Sequence, residues 1–243
     1  MSPNRYGIVS KEKNMMNKII KAIKTPRIIY QRLTYQIVRL YDAIRDCSIC
    51  GFSLAKKDAT SVDGGTSYSA TCYWTLDEIF SDAIFTADDS FVDVGCGKGR
   101  LLAYMLSQKF PGRITGIEMN PTTAAVARKW LQRFPQDKVR LIEGDAFSQQ
   151  YDEYTVIYLF RPFETDYFMR FIQLLEQQLT HPVKLYYMTD QVNGYYLKER
   201  EGWELVFRRA CYRKYGLCMW SCPQKYSMWL YTPICQAPSL NEE

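Results

Sequence analysis

"FVDVGCGKGR", residues 91–100, decides the fold. Phe91 to Val94 is a short apolar run carrying one acid, Asp93, and it breaks at three alternating glycines, Gly95, Gly97 and Gly99. The residues that follow, "GRLLAYMLSQKF", have helical apolar spacing. A buried strand, a glycine turn and a helix form the first unit of an alternating α/β domain. Such folds bind ligands beyond the carboxyl ends of the strands, where the strand order switches. Glycine lets the backbone turn sharply there and pass close to a ligand. Two phosphate-binding patterns fail. A G-x-G-x-x-G dinucleotide loop needs glycine at position 100, where Arg100 stands. A G-x-x-x-x-G-K-[ST] loop needs lysine after its last glycine, whereas Lys98 precedes Gly99. Asp93, two residues before the first glycine, would repel a pyrophosphate and suits a ligand with an ammonium group.

Outward from this loop the alternation continues. "RITGIE", "KVRLIEG", "YTVIYLF" and "VKLYYMT" are strands; "PTTAAVARKWLQRF" and "ETDYFMRFIQLLEQQL" are helices. Strands alternating with helices of ten or more residues give a parallel sheet with helices on both faces. The last forty residues change character: "WELVFRRACYRK" and "YSMWLYTPI" are expected as two antiparallel strands closing the sheet edge. The fold class is therefore α/β: a Rossmann-like, seven-stranded, mostly parallel sheet with an antiparallel C-terminal hairpin and a helical N-terminal cap. The expected division is 1–67 as a basic helical extension and 68–243 as the ligand-binding domain.

"VDVGCGKGR" resembles the first motif of class I S-adenosylmethionine-dependent methyltransferases, and the likeness runs over about 68–210. The resemblance implies S-adenosyl-L-methionine as cofactor. It places Asp93 and Gly95 near the methionine end, with Gly97 and Gly99 allowing close backbone passage. Cys96, counted among the cofactor-binding positions, reads as a space filler. Glu118, 23 residues past Gly95 at the end of the second strand, falls where the family keeps an acid for both ribose hydroxyls. Met119 and Asn120 would flank ribose and adenine. Asp145 and Ala146, after the third strand in "IEGDAF", would complete the adenine pocket, with Phe147 as an apolar wall.

A narrower likeness is to a bacterial, mostly uncharacterised branch of that superfamily. Tyr68 and Thr71 fit its Tyr-x-x-Thr-like segment ahead of the first motif. "FRPF", Phe160 to Phe163, stands where the branch carries an Asn-Pro-Phe-like fourth motif. Phe160, Arg161, Pro162 and Tyr68 are accordingly the candidate catalytic residues, with Phe160 also at the cofactor. Arginine is donor-only. It cannot accept a hydrogen bond from an attacking amine as the usual asparagine does, and it repels a cation. This leans the acceptor toward an anionic or hydroxyl-bearing small molecule or glycan. The alternatives are protein amino-group methylation and a cofactor-binding but inactive interaction module. A salt bridge from Arg161 to Glu164 or Asp166 is the structural reading of the same residue. A hydroxyl acceptor would want a general base; Tyr68, Asp190 and Glu164 are in reach by topology, while His181 precedes the fifth strand at its amino end.

The 243 residues carry a net charge of +5, unevenly spread. Residues 1–46 hold ten Lys or Arg against three acids, a net of +7, which leaves −2 for the other 197 residues. Thr25-Pro26 is a helix start signal, and Ile29, Leu33, Ile37, Leu40 and Ile44 mark an amphipathic helix over about 27–45. Its apolar stripe is expected to pack on the domain as a lid over the cofactor. A second reading puts 13–32, where Lys18, Lys21, Lys24 and Arg27 interleave with Ile19, Ile20 and Ile23, on an anionic membrane surface. No basic stripe extends into the main domain, so nucleic acid is not an expected partner. The eight scattered cysteines and the absence of a secretory pattern in residues 1–20 point to reduced thiols in the cytoplasm, with contact at the inner membrane surface as the variant. "CSICG", 47–51, is half a zinc knuckle; Cys47, Cys50, Cys218 and Cys222 form a thinkable set, but no metal is expected.

Overall fold

The structure, a computed structural model, describes the backbone of residues 5–55 and 70–234 and the side chains of 26–55 and 70–234. The expected boundary at 67/68 and Tyr68 lie outside the described residues. In chain order the elements are α1 (Arg5–Cys50), α2 (Tyr73–Ile79), β1 (Ser90–Val94), α3 (Arg100–Ser107), β2 (Arg113–Glu118), α4 (Pro121–Leu131) and β3 (Val139–Glu143). Then follow a 3-10 turn (Ala146–Ser148), β4 (Val156–Phe160), α5 (Thr165–Gln178), β5 (Val183–Met188), α6 (Gly194–Leu197), β6 (Trp203–Cys211), β7 (Arg213–Lys214), β8 (Leu217–Cys218) and β9 (Gln224–Tyr231).

Seven strands make one sheet in the order β3-β2-β1-β4-β5-β9-β6. The first five run parallel; β9 pairs antiparallel with both β5 and β6. The antiparallel C-terminal pair is as expected, and β9 inserts between β5 and β6. The small β7–β8 ribbon sits in the connection between β6 and β9. Along β4, Val156 and Tyr158 face one core cluster and Ile157 and Leu159 the other. The alternation is that of a strand buried on both faces. One cluster holds residues of α1, α2, α3 and α4; the other holds α5 and α6. The strand order turns back at β1/β4, which puts the glycine loop and the Arg161-Pro162 step side by side.

Two expectations about α1 are corrected. The helix does not start at Thr25-Pro26; it runs from Arg5 to Cys50 with Pro26 inside it. Proline's fixed φ is helical, so the cost is the missing backbone bond and the local crowding, and the chain absorbs both. The helix ends at Gly51, in the left-handed conformation at φ 84°, with its N–H bonded to the Cys47 carbonyl. The apolar stripe also faces outward. Ile29, Leu33, Ile37, Leu40 and Ile44 are 51–62% exposed, while Thr34, Val38, Asp42, Asp46 and Cys50, spaced by four, are buried. Polar bonds set this rotation. Arg100 donates to Asp46 from Nε (3.0 Å) and Nη2 (2.7 Å) and to Asp42 from Nη1 (3.2 Å). Asp42 also accepts from the Tyr73 backbone N–H, and Asp46 from the Leu54 N–H and the Tyr73 hydroxyl. A helix turned to bury its isoleucines would leave Arg100 without these carboxylates.

Candidate active site

Val94 pairs with Ile117 on one side and Leu159 on the other, so the three strand ends that carry Gly95, Glu118 and Phe160 lie together. Gly95 has φ 75°, and a Cβ there would meet the Pro162 Cβ at 2.7 Å. The first and fourth motifs are thus in direct contact, and no other residue fits at 95 without moving one of them. Gly97 and Gly99 also have positive φ. Trp130 of α4 props the loop from below, donating from Nε1 to the Lys98 carbonyl at 2.9 Å.

Glu118 ends β2 as expected. One carboxylate oxygen accepts from the Gly97 N–H and the other from the Asn120 N–H, each at 2.8 Å. Both oxygens are therefore fixed in place and keep lone pairs for a diol. Asp93 is 4% exposed, and among the described residues no basic side chain is recorded against it. Burial, and then the Glu118 charge, push its carboxyl well above the usual range. Burial also raises Glu118, against the pull of its backbone donors. A buried acid without a cation beside glycine backbone fits an ammonium-bearing ligand.

Two expected contacts are modified by what the side chains already do. Asn120 is spent as the N-cap of α4, its Oδ1 accepting from Thr122 and Thr123. Asp145 caps the 3-10 turn through the Phe147 N–H at 3.0 Å, leaving its second oxygen available. Met119 is half exposed at the rim, Ala146 is buried, and Phe147 packs on Phe163 at 5.3 Å, making an apolar wall. Cys96 is buried and fills space against Gly116, where a Cβ would lie 2.7 Å from its Sγ. The same Cβ would lie 2.8 Å from Leu102 Cδ2, so Gly116→Ala is expected to cost about 1–3 kcal/mol by overpacking, and Cys96→Ala in the same chain to restore part of it. Thermal unfolding of the single and double variants checks this; a double variant no better than the single would remove Cys96 from the account.

Arg161 directly follows β4 with φ 41°, an uncommon conformation for a side-chain-bearing residue. Its Nη2 lies 3.6 Å from Glu164, and both side chains are substantially exposed. Asp190 is buried and paired with Arg208 of β6. His181 lies at the opposite end of the sheet, with Nε2 on the Asp152 carbonyl at 2.8 Å. The sequence did not single out Trp220. Its ring meets Phe160 edge-on at 5.6 Å, and with Tyr35, Arg39, Cys72 and Arg100 it lines a cleft against the inner face of α1. Only a contact across 60 residues links Trp220 to the fourth motif, so no local signal marks it. Among the described residues no group of three or more His, Cys, Asp or Glu is placed to hold a metal.

A family model for a methyltransferase domain matches residues 91–179, from β1 to the end of α5. Solved structures share the fold. A methyltransferase from Pyrococcus furiosus is 14% identical, with a TM-score of 0.54 over 82% of this chain and 98% of that one. The Escherichia coli protein yhhF, assigned as a methyltransferase, is 18% identical, with a TM-score of 0.51 over 67% of this chain and 86% of that one. The mitomycin 7-O-methyltransferase MmcR is 17% identical, with a TM-score of 0.51 over 66% and 54%. No curated protein matches the chain.

Proposed function

We propose that this chain, whose residues 91–179 match a methyltransferase-domain model, is a class I S-adenosylmethionine-dependent methyltransferase that methylates an anionic or hydroxyl-bearing small molecule or glycan. Asp93 would meet the ammonium group, the backbone of 95–99 would pass along the cofactor, Glu118 would take the ribose diol, and Asp145, Ala146 and Phe147 would enclose the adenine. Bound there, the cofactor supplies an already activated methyl group, so the chain's own work is binding, alignment and exclusion of water.

The observation that carries the acceptor reading is Arg161, held at φ 41° directly before the proline that packs on the glycine loop. A guanidinium there orients an anion and repels an amine cation. The base question favours the same acceptor. Asp190 is buried and committed to Arg208, and His181 is at the wrong end. A carboxylate acceptor is already ionised at neutral pH and needs no base.

Tritiated-methyl transfer to fractionated lysate, with the wild type beside Arg161→Asn, tests the reading. Asparagine tolerates the left-handed conformation, so the substitution removes charge rather than backbone fit. Label is expected in acidic small molecules or glycans. It should fall tenfold or more in the variant, since a hydrogen bond to a charged group is worth about 1.5–3 kcal/mol. Label in protein lysine would overturn the acceptor; binding of cofactor without any label would favour the inactive interaction module.

A further inference from the structure

α1 is amphipathic in the reverse of the usual sense. The face that holds the domain mixes the polar Thr34, Asp42 and Asp46 with Val38 and Cys50, and the face turned to solvent carries Ile29, Leu33, Ile37, Leu40 and Ile44. From Ile29 to Ile44 the stripe runs about 22 Å at 1.5 Å per residue. Five large side chains more than half exposed make a contiguous apolar patch of several hundred Å², at the upper end of what a monomer leaves bare. No helix among the described residues is long and apolar enough to cross a membrane.

We propose that this outward face of α1 docks the protein on an anionic lipid bilayer, lying in the interface with its apolar stripe among the acyl chains. Charge selects this occupant. Every exposed ionic side chain on α1 from residue 26 onward is an arginine: Arg27, Arg32 and Arg39. The two acids of the same stretch, Asp42 and Asp46, are buried against Arg100. Among the described residues of α1, therefore, nothing acidic answers these arginines on the same helix of a second copy, whereas each basic residue near an anionic surface is worth about 1 kcal/mol.

A second element extends the patch. The turn between β7 and β8 is tied to α1 by the Tyr30 hydroxyl, which donates to the Gly216 carbonyl at 2.5 Å. That turn presents Tyr215, 82% exposed, with Arg213 and Lys214 just before it. The Arg213 guanidinium lies 5.8 Å over the Tyr30 ring. An exposed tyrosine with flanking cations suits the headgroup layer, where an aromatic ring and a charged tip are both accommodated. Helix and turn together make an apolar line with a basic and aromatic border.

Co-sedimentation of the full chain with vesicles tests the proposal, comparing phosphatidylcholine alone with mixtures containing phosphatidylglycerol. Binding is expected only to the mixtures, and to weaken with salt. It should fall about tenfold or more in Leu33→Asp/Leu40→Asp and by a smaller factor in Arg27→Gln/Arg32→Gln. Calorimetric titration with S-adenosylmethionine should give the wild-type affinity in both variants, which shows that they fold and keeps this test separate from the methyl-transfer reading. Equal binding to neutral vesicles, or wild-type binding by the Leu33→Asp/Leu40→Asp chain, would overturn the proposal. So would a particle of twice the mass in sedimentation velocity that those two substitutions dissolve, since the stripe would then belong to a second copy.

Discussion

Arg100→Met is expected to lower unfolding stability by about 3–5 kcal/mol at neutral pH, the usual cost of removing one partner from a buried ion pair. Arg100 is 6% exposed and meets two carboxylates that are themselves buried, Asp42 at 4% and Asp46 at 0%. Methionine keeps much of the volume and stem, so the loss is mainly the uncompensated charge. The same network fixes the rotation of α1, and its loss should also loosen the helix from the domain. A pH dependence follows. Burial outweighs the attraction of Arg100 and lifts the Asp42 carboxyl from 3.8 to about 6. A raised native pKa means that the folded protein holds the proton more tightly than the unfolded chain. That stabilisation is complete below 3.8 and is lost as pH climbs through about 6. Without Arg100 the lift is larger. The gap between variant and wild type should therefore be small in acid and should open through pH 6. Urea midpoints for both proteins at acid and neutral pH measure it. A variant equally weakened at both, or unaffected at neutral pH, would show that the ion pairs do not hold the helix.

How much of this was legible in the sequence depended on how local each signal is. The strand, glycine loop and helix at 91–107 were readable because positive φ at Gly95, Gly97 and Gly99 and a buried strand are written within ten residues. Glu118 was readable from its place at a strand end. The outcome for α1 was not. A helical period tells which residues share a face, and it does not tell which face is covered. Covering was decided by Arg100, 54 residues beyond Asp46, and by Tyr73. Asn120 and Asp145 fell where the family pattern puts ligand contacts, yet both give an oxygen to capping backbone N–H groups, because any Asn or Asp just ahead of a helical turn is drawn to that use. The C-terminal pair was readable as antiparallel. Its order in the sheet was not, because β9 takes its place by pairing with β5, a segment 36 or more residues earlier, as well as with the nearby β6.

Asp93→Asn should change stability and ligand affinity in opposite directions, which a purely structural acid would not do. The carboxyl is buried in β1, its ionised form disfavoured by desolvation and by Glu118. Asparagine is nearly the same shape and carries no charge to desolvate, so the variant should unfold at the same or a higher denaturant concentration than the wild type. Natural sites often keep such a cost because function needs the group. Affinity for S-adenosylmethionine should fall at least about thirtyfold, since truncating one member of a buried charge pair costs upward of about 2 kcal/mol and each 1.4 kcal/mol is tenfold. The ammonium group needs Asp93 ionised, while the free protein holds a proton there more tightly than an exposed aspartate would. Wild-type binding should thus tighten as pH rises, and the variant should lose that slope. Calorimetric titration across pH, beside a denaturant series on the same two proteins, reads both effects. A variant that loses stability and keeps its affinity would make Asp93 a structural residue and move the ammonium site elsewhere in the loop.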